Sequence, residues 1–360
     1  MKKMFKSFAA FVFVAVMALM IFGQPAKAAE TENITVYVSV EKFSLGQGYL
    51  IEPTKMTVEK DALASDVVAE LLKANGYEYE VDTSWGYQLT YIKGADNGTI
   101  DIPQIIQSMA ADSWSGTAAP TNETAKENGN ATYPDLGNYS YTSAAGWTYY
   151  VNNESPIVPM NEYKLQDGDV MRIRFTIHGY GADMGGSWDG CLTLPNLDSV
   201  TKSLAEYNAD KANCDLNKTY KNAYTKTVKA VTNMDKTEKA ITTAAKNLPT
   251  ENQITKWAKK VKNNTPKKAT LVSAKNAGNK KVKLTWKKVK GATGYEIVYK
   301  VKGSKAAFKT LKTVKNVNKL TFTTKKLAKK TYTFKIRAYK TVDGNKLYGA
   351  YSKIKYRTVK

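Results

Sequence analysis

The chain predicts a multidomain fold: an α+β domain, then an α-helical spacer, then an all-β sandwich. Three observations carry that expectation. Apolar residues recur at every second position over 34–40 and again in the short runs 282–286, 295–301 and 332–338, as strands with one buried face require. Between them, from about Leu194 to Lys262, the apolar spacing lengthens to the helical period. The charge divides along the same line. Residues 266–360 hold 28 Lys and Arg against only Glu296 and Asp343, a formal +26, whereas residues 30–265 hold 22 basic and 30 acidic side chains, a formal −8.

The first residues set Lys2, Lys3 and Lys6 ahead of an uncharged run from Phe8 to Phe22, followed by the small-residue site Ala26-Lys27-Ala28. Residues 1–29 therefore read as a secretory signal peptide. The apolar run is shorter than the ~20 residues a membrane-spanning helix needs. No cysteine near the cleavage site offers a lipid anchor, and the end of the sequence carries no hydrophobic tail, so attachment to a surface is expected to be non-covalent.

In the acidic domain, Ile34, Val36, Val38 and Val40 alternate with Thr35, Tyr37 and Ser39 as a first strand, and Met56-Thr57-Val58 reads as a second. Val67, Val68, Leu71 and Leu72 then form the apolar stripe of one helix, closed by Gly76. Leu89, Tyr91 and Ile92 suggest a third strand. From about 101 to 143 the chain turns polar, around an isolated Trp114, and reads as an insertion or long surface loop. Strands resume at Trp147 to Val151 and at Val170 to Ile177. The helical stretch, 190–263, brings Val200, Leu204 and Tyr207, then Tyr220, Tyr224, Val228 and Val231, then Ile241, Ala244, Ala245 and Leu248 into apolar stripes; it is either a spacer or a small bundle of its own. In the last 95 residues, Val282, Leu284 and Trp286 alternate with lysines, and short strands at regular spacing with Gly-containing turns imply a sandwich.

Two runs of residues carry family resemblances. Val282 to Ile297, with Tyr332, Arg337, Ala338, Tyr339 and Gly349-Ala350-Tyr351-Ser352, resembles the fibronectin type III domain of secreted bacterial proteins over 266–360. That resemblance implies Trp286 as the core tryptophan, Tyr332 as the tyrosine corner, and a spacer or adhesion module without catalysis. The strand Val36 to Val40, the helix Ala64 to Asn75, Gly146 to Asn152 and Tyr163 to Val170 resemble the transcobalamin-like C-terminal domain family of exported Gram-positive proteins over 34–178. This second resemblance implies a β-grasp-like sheet crossed by one helix. It also raises a corrinoid, cobalamin, as ligand, because the namesake carriers use this domain to cap it.

Trp147, Tyr149 and Tyr150 are the residues suited to stack on a flat ligand or sugar ring, with Asn152 adding hydrogen bonds at a strand end. The same aromatics fit a second reading, in which all three pack on the sheet. Asp167-Gly168-Asp169 invites a calcium site, but a turn needing Gly at positive φ explains it and no further acidic ladder follows. His178, the single histidine, lies in a Gly-rich stretch read as a surface loop, with no nucleophile elbow or paired cysteine to serve. Cys191 and Cys214 are either one disulfide, expected in an exported chain, or two free thiols. They sit too far apart in sequence, beside one histidine, for a zinc site.

The expected function is that of a non-catalytic binding protein, secreted or held at the cell surface. Its first domain recognises a small ligand or glycan, and its cationic sandwich associates with an anionic cell-wall polymer or polysaccharide. A structural adhesin or spacer with no small-molecule site is the rival expectation. Nucleic acid is a weaker partner, since no recognition helix or aromatic platform motif accompanies the lysines.

Overall fold

The computed structural model describes residues 32–84, 86–111, 116–128, 133–186 and 188–360, so the leader expected over residues 1–29 and Trp114 lie outside the described residues. The elements in chain order are β1 (Asn33–Glu41), β2 (Tyr49–Glu59), α1 (Ala64–Ala74), β3 (Tyr79–Asp82), β4 (Gln88–Ile92), α2 (Gln104–Gln107), α3 (Asn122–Asn128), β5 (Leu136–Gly137), β6 (Gly146–Val151) and β7 (Val170–Thr176). They continue with α4 (Asp198–Ala209), α5 (Lys211–Cys214), α6 (Lys218–Val231), α7 (Glu238–Ala245), α8 (Glu251–Asn264), β8 (Leu271–Asn276), β9 (Val282–Trp286), β10 (Gly294–Val301), β11 (Lys309–Val314), β12 (Thr321–Thr323), β13 (Thr331–Val342), β14 (Asn345–Tyr348) and β15 (Lys355–Thr358). The chain divides into two compact units, one of residues up to Ala209 with Asn222–Thr250, the other of Asp210–Lys221 with Glu251–Lys360.

In the first unit a four-stranded sheet runs β2-β1-β7-β6. β1 is antiparallel to β2 and parallel to β7, and β6 returns antiparallel beside β7. Val36, Val38 and Val40 are fully buried, as the alternation demands. They share a core with Val67, Val68, Leu71 and Leu72 of α1, whose i, i+1, i+4, i+5 spacing puts all four on one face. Asp66 in the first turn and Lys73 in the last suit the helix dipole, and Gly76 at φ 78° ends the run in the left-handed region.

The opposite face of this sheet is also covered. α4 packs on β2, and also on β1 and β7, through a stripe that includes Val200, Leu204 and Tyr207, which is why Ser39 and Glu41 are buried although the alternation aims them away from the α1 core. All seven residues of β7 are consequently buried. Part of the helical stretch read from sequence as a spacer over 190–263 thus closes the first unit, while α5 and α8 belong to the second. The stretch 101–143 differs from the surface loop expected of it: among its described residues Ile102, Ile106, Ala125, Leu136 and Tyr141 enter the core, and β5 joins β3 and β4 in a three-stranded sheet.

The second unit is a sandwich of a three-stranded sheet, β12-β9-β8, and a five-stranded sheet, β11-β10-β13-β14 with β15 also paired to β13. Val282, Leu284, Trp286, Tyr295, Ile297, Phe334 and Ile336 fill the space between. Trp286 is the core tryptophan, edge-on to Tyr295 at 5.5 Å. The phenol that binds backbone is that of Tyr295, whose oxygen accepts from the Val289 N–H at 3.0 Å; Tyr332, expected in that corner role, packs beside Tyr299 and Phe334. Trp257 and Val261 of α8 make a small separate cluster with Leu347.

Candidate functional site

The four residues expected to bind ligand do not converge. Register pairs Trp147 with Phe175 and Tyr149 with Ile173, whereas Tyr150 lies opposite Arg172, so the pleat sends Trp147 and Tyr149 to one face and Tyr150 to the other. Trp147 is buried edge-on against Phe175 at 5.1 Å, and its Nε1 donates to the Leu136 carbonyl at 2.9 Å. Tyr149, half-buried, donates to the Val158 carbonyl and meets Tyr163 edge-on. The Tyr150 hydroxyl donates to the Gly185 carbonyl at 2.7 Å, and burial pushes it up to about 12. Asn152, at φ 51°, closes the base of the loop: its Nδ2 donates to Asp169 at 2.7 Å and its Oδ1 accepts from the Val170 N–H at 3.0 Å. A corrinoid needs one continuous surface for its flat ring, and these residues do not fit it.

The other sequence candidates also have internal duties. Asp167 accepts from the Thr35 N–H at 2.8 Å, and Asp169 accepts from Gln166 N–H at 2.8 Å, around Gly168 at φ 83°. No group of three or more metal-ligating side chains occurs among the described residues. His178 is buried, not in a surface loop, with Nε2 3.1 Å from the Ala110 carbonyl. Cys191 and Cys214 are free thiols, the second of the two alternatives open to them. They fall in different compact units, and Cys214 packs as a small buried hydrophobe whose thiol burial pushes up to about 12.

What the first unit does assemble is a buried charge cluster on one side of β7 and β1. Arg172 grips Glu41 with two parallel bonds, Nε to Oε1 at 2.8 Å and Nη2 to Oε2 at 2.7 Å, and Ser39 Oγ donates to the same carboxylate at 2.7 Å. Arg174 stands 3.8 Å from Glu41, donates to the Met184 carbonyl at 2.6 Å and lies over the Tyr150 ring at 4.6 Å. Burial opposes the charge on Glu41, but the two guanidiniums outweigh it and hold the carboxyl below its ordinary range. Burial, reinforced by Arg172, lowers Arg174 to about 10. The adjoining cleft, between this cluster and Leu197, Met234 and Ile241, has about 20 Å³ of free space, room for one or two waters. It is a structural network around a water-sized gap.

Asp183 is the second buried acid. Its carboxylate accepts from the Thr176 hydroxyl and, at 2.9 Å, from the Ile177 N–H, yet burial dominates and raises it to about 7. A carboxyl raised on folding binds its proton more tightly in the native state, so its contribution is greatest below the ordinary Asp range and is lost as pH rises through about 7. Asp183→Asn should therefore remove a slope of up to about 1.4 kcal/mol per pH unit. Unfolding titrations at pH 4.5, 6 and 7.5 check this: the wild type should lose stability relative to the variant with rising pH, and a constant difference would contradict the assignment.

The second unit presents charge at its surface. On the outer side of the five-stranded sheet Lys335 Nζ lies 4.1 Å from the ring centres of both Phe308 and Tyr351, and Arg337 lies 3.7 Å from Tyr348 and 4.6 Å from Tyr351. Lys300 caps Phe308, Lys302 caps Tyr356 and Lys346 caps Tyr339, at 5.1, 5.1 and 4.8 Å. The two acids of residues 266–360 are both engaged, Glu296 by Arg337 at 2.6 Å and Tyr351 at 2.9 Å, Asp343 by Lys260 at 2.6 Å. Beside that turn, Tyr220, Trp257, Lys256, Lys259 and Lys260 border an open depression of about 500 Å³.

The family described as Domain of unknown function (DUF4430) matches residues 135–177, the stretch that carries β5, β6 and β7. No curated protein matches the chain. Among solved structures it is similar to the FN1–FN3 domains of chicken CNTN1, with 22% identity over 26% of this chain and 30% of that one at a TM-score of 0.23. It is also similar to the fibronectin type-III domain of human fibronectin type III domain containing protein 3, with 23% identity over 26% of this chain and 85% of that one at 0.22, and to FN3tt mut, with 23% identity over 26% and 94% at 0.20. The chain thus spans about a third of the length of the first of these structures.

Proposed function

We propose that the protein is a non-catalytic binding protein, exported and held at the anionic cell envelope by its cationic sandwich. The observation that carries this reading is the segregation of charge: a formal +26 over residues 266–360, whose only two acids are already paired or hydrogen-bonded within the second unit. An unbalanced cationic field of this size draws polyanions and repels cations. The strand order with β1 and β7 parallel at its centre, and the helix that follows the first hairpin, support a β-grasp-like first domain. The two-sheet sandwich with Trp286 in its core supports a fibronectin type III-like second one. The test is retention of the full chain on purified Gram-positive walls, before and after chemical removal of their anionic polymers. Retention lost with the polymers supports the reading; retention that survives their removal overturns it.

A specific observation favours a second reading, a structural adhesin or spacer: Trp147, Tyr149, Tyr150 and Asn152 all serve the fold itself. Thermal unfolding with corrinoids and oligosaccharides separates the two, because a ligand that binds the native state alone raises its stability. A concentration-dependent rise favours recognition by the first domain, and no shift favours the spacer.

A further inference from the structure

We propose that the outer face of the five-stranded sheet, centred on Lys335, is the docking surface for a linear polyol phosphate, a chain of phosphodiesters without rings or bases. The inference rests on the cationic reading of this unit and adds to it the face and the polymer class.

Strand alternation builds the surface. Phe334 and Ile336 of β13 point into the sandwich core, so Lys335 and Arg337 point out. Register sets Lys300 opposite Thr333, Glu296 opposite Arg337, and Lys346 opposite Thr341, which places Lys300, Arg337, Lys335 and Lys346 on one side. Alternate residues of a strand stand about 7 Å apart and neighbouring strands about 5 Å. Neighbouring cations in the array are therefore within a Debye length of ~10 Å at 0.1 M salt and act as one field.

The cations are also held in place. An aromatic ring under an ammonium fixes it without neutralising it, so less side-chain freedom is lost when an anion arrives. Glu296 is occupied by Arg337 and Tyr351, which leaves Lys300, Lys302, Lys335 and Lys346 without a carboxylate from residues 266–360.

The class of polymer follows from what covers the aromatics. Bases and sugar rings bind by stacking on bare aromatic faces. Here Phe308, Tyr339, Tyr348, Tyr351 and Tyr356 each have a face under a cation. A flexible phosphodiester chain with no ring needs only the ammonium groups, and lysine serves phosphate as a point charge without demanding a planar partner. Arginine, the residue of bidentate readout, supplies only Arg337 and Arg357 among the 28 cations.

The test uses the full chain and synthetic poly(glycerol phosphate) of defined length, with polygalacturonate and a single-stranded oligonucleotide of equal charge as rivals. One variant carries Lys300→Gln, Lys302→Gln, Lys335→Gln and Lys346→Gln. A second removes the same charge elsewhere on the sandwich through Lys275→Gln, Lys283→Gln, Lys287→Gln and Lys288→Gln. The first should weaken binding of the polyol phosphate by tenfold or more, the second by less than threefold. Should the first variant misfold, Lys302→Glu with Lys346→Glu, both at exposed positions, makes the same comparison. Equal losses in the two variants overturn the face assignment while leaving the cationic reading standing. Tighter binding of either rival overturns the polymer class. No binding of any polyanion by the unaltered chain overturns both the face and the reading beneath it.

Discussion

Glu41→Ala is expected to lower the unfolding free energy by about 3–5 kcal/mol, the loss that follows when one partner of a buried ion pair is removed. Glu41 is 1% exposed, and its carboxylate faces two guanidiniums, both buried. Without it, Arg172 and Arg174 are left as neighbouring positive charges in a medium that hydrates neither. Arg172→Ala should act similarly from the other side, since it leaves the Glu41 charge with only the distant Arg174 guanidinium at 3.8 Å and the neutral Ser39 hydroxyl. Glu41→Leu combined with Arg172→Met should recover part of the loss, because a packed apolar pair of similar volume is often no less stable than a buried ion pair. The pH dependence has a definite sign. A carboxyl held below its ordinary value stabilises the fold above the unfolded-state pKa, and that contribution is lost as pH falls through the lowered value. Denaturant unfolding near neutral pH and in acid tests both statements; a change under 1 kcal/mol on Glu41→Ala would mean that the cluster is already solvated.

Phe334→Ala should cost a comparable amount, about 3–5 kcal/mol, by a different cause. Phe334 is fully buried in the first half of β13, beside Tyr299 and Tyr332 and within the core that includes Trp286. Truncation removes the apolar transfer energy of the ring and leaves a gap between two sheets that cannot close independently. Because β13 also carries Lys335 and Arg337 on its other side, the variant should lose polyanion binding wherever the sandwich unfolds. Thermal unfolding of the variant in parallel with its binding checks the linkage; a binding surface that outlasts the unfolding of the core would contradict it.

Much of this architecture is legible in the residues, for identifiable reasons. Val36, Val38 and Val40 on one side and the α1 stripe on the other follow the two periods so closely that their burial is readable directly. Val282, Leu284 and Trp286 do the same for the sandwich. The second covered face of the first sheet is harder to read, because a helix over a hundred residues later supplies its lid. A signal was present: Arg172 and Arg174 alternate with Ile173 and Phe175, so one side of β7 had to hold two charges, and Glu41 lay at the matching parity of β1. The aromatic set misleads for a related reason. A strand with Trp147, Tyr149 and Tyr150 looks like a platform in one dimension, and the pleat divides it between two faces. The cation-on-aromatic face depends on the long-range register between β10 and β13, which local spacing does not encode.

The proposed binding of a polyanion by the lysine-rich sandwich works through charge. Its most direct measure is the affinity of the full chain for purified anionic wall polymer as a function of salt. Counterion release makes log affinity fall linearly with log salt, and several phosphate contacts would bring a loss on the order of a hundredfold or more between 50 and 500 mM. That steep line is the predicted result. A flat profile, or no binding at the lowest salt, would rule out charge-driven binding.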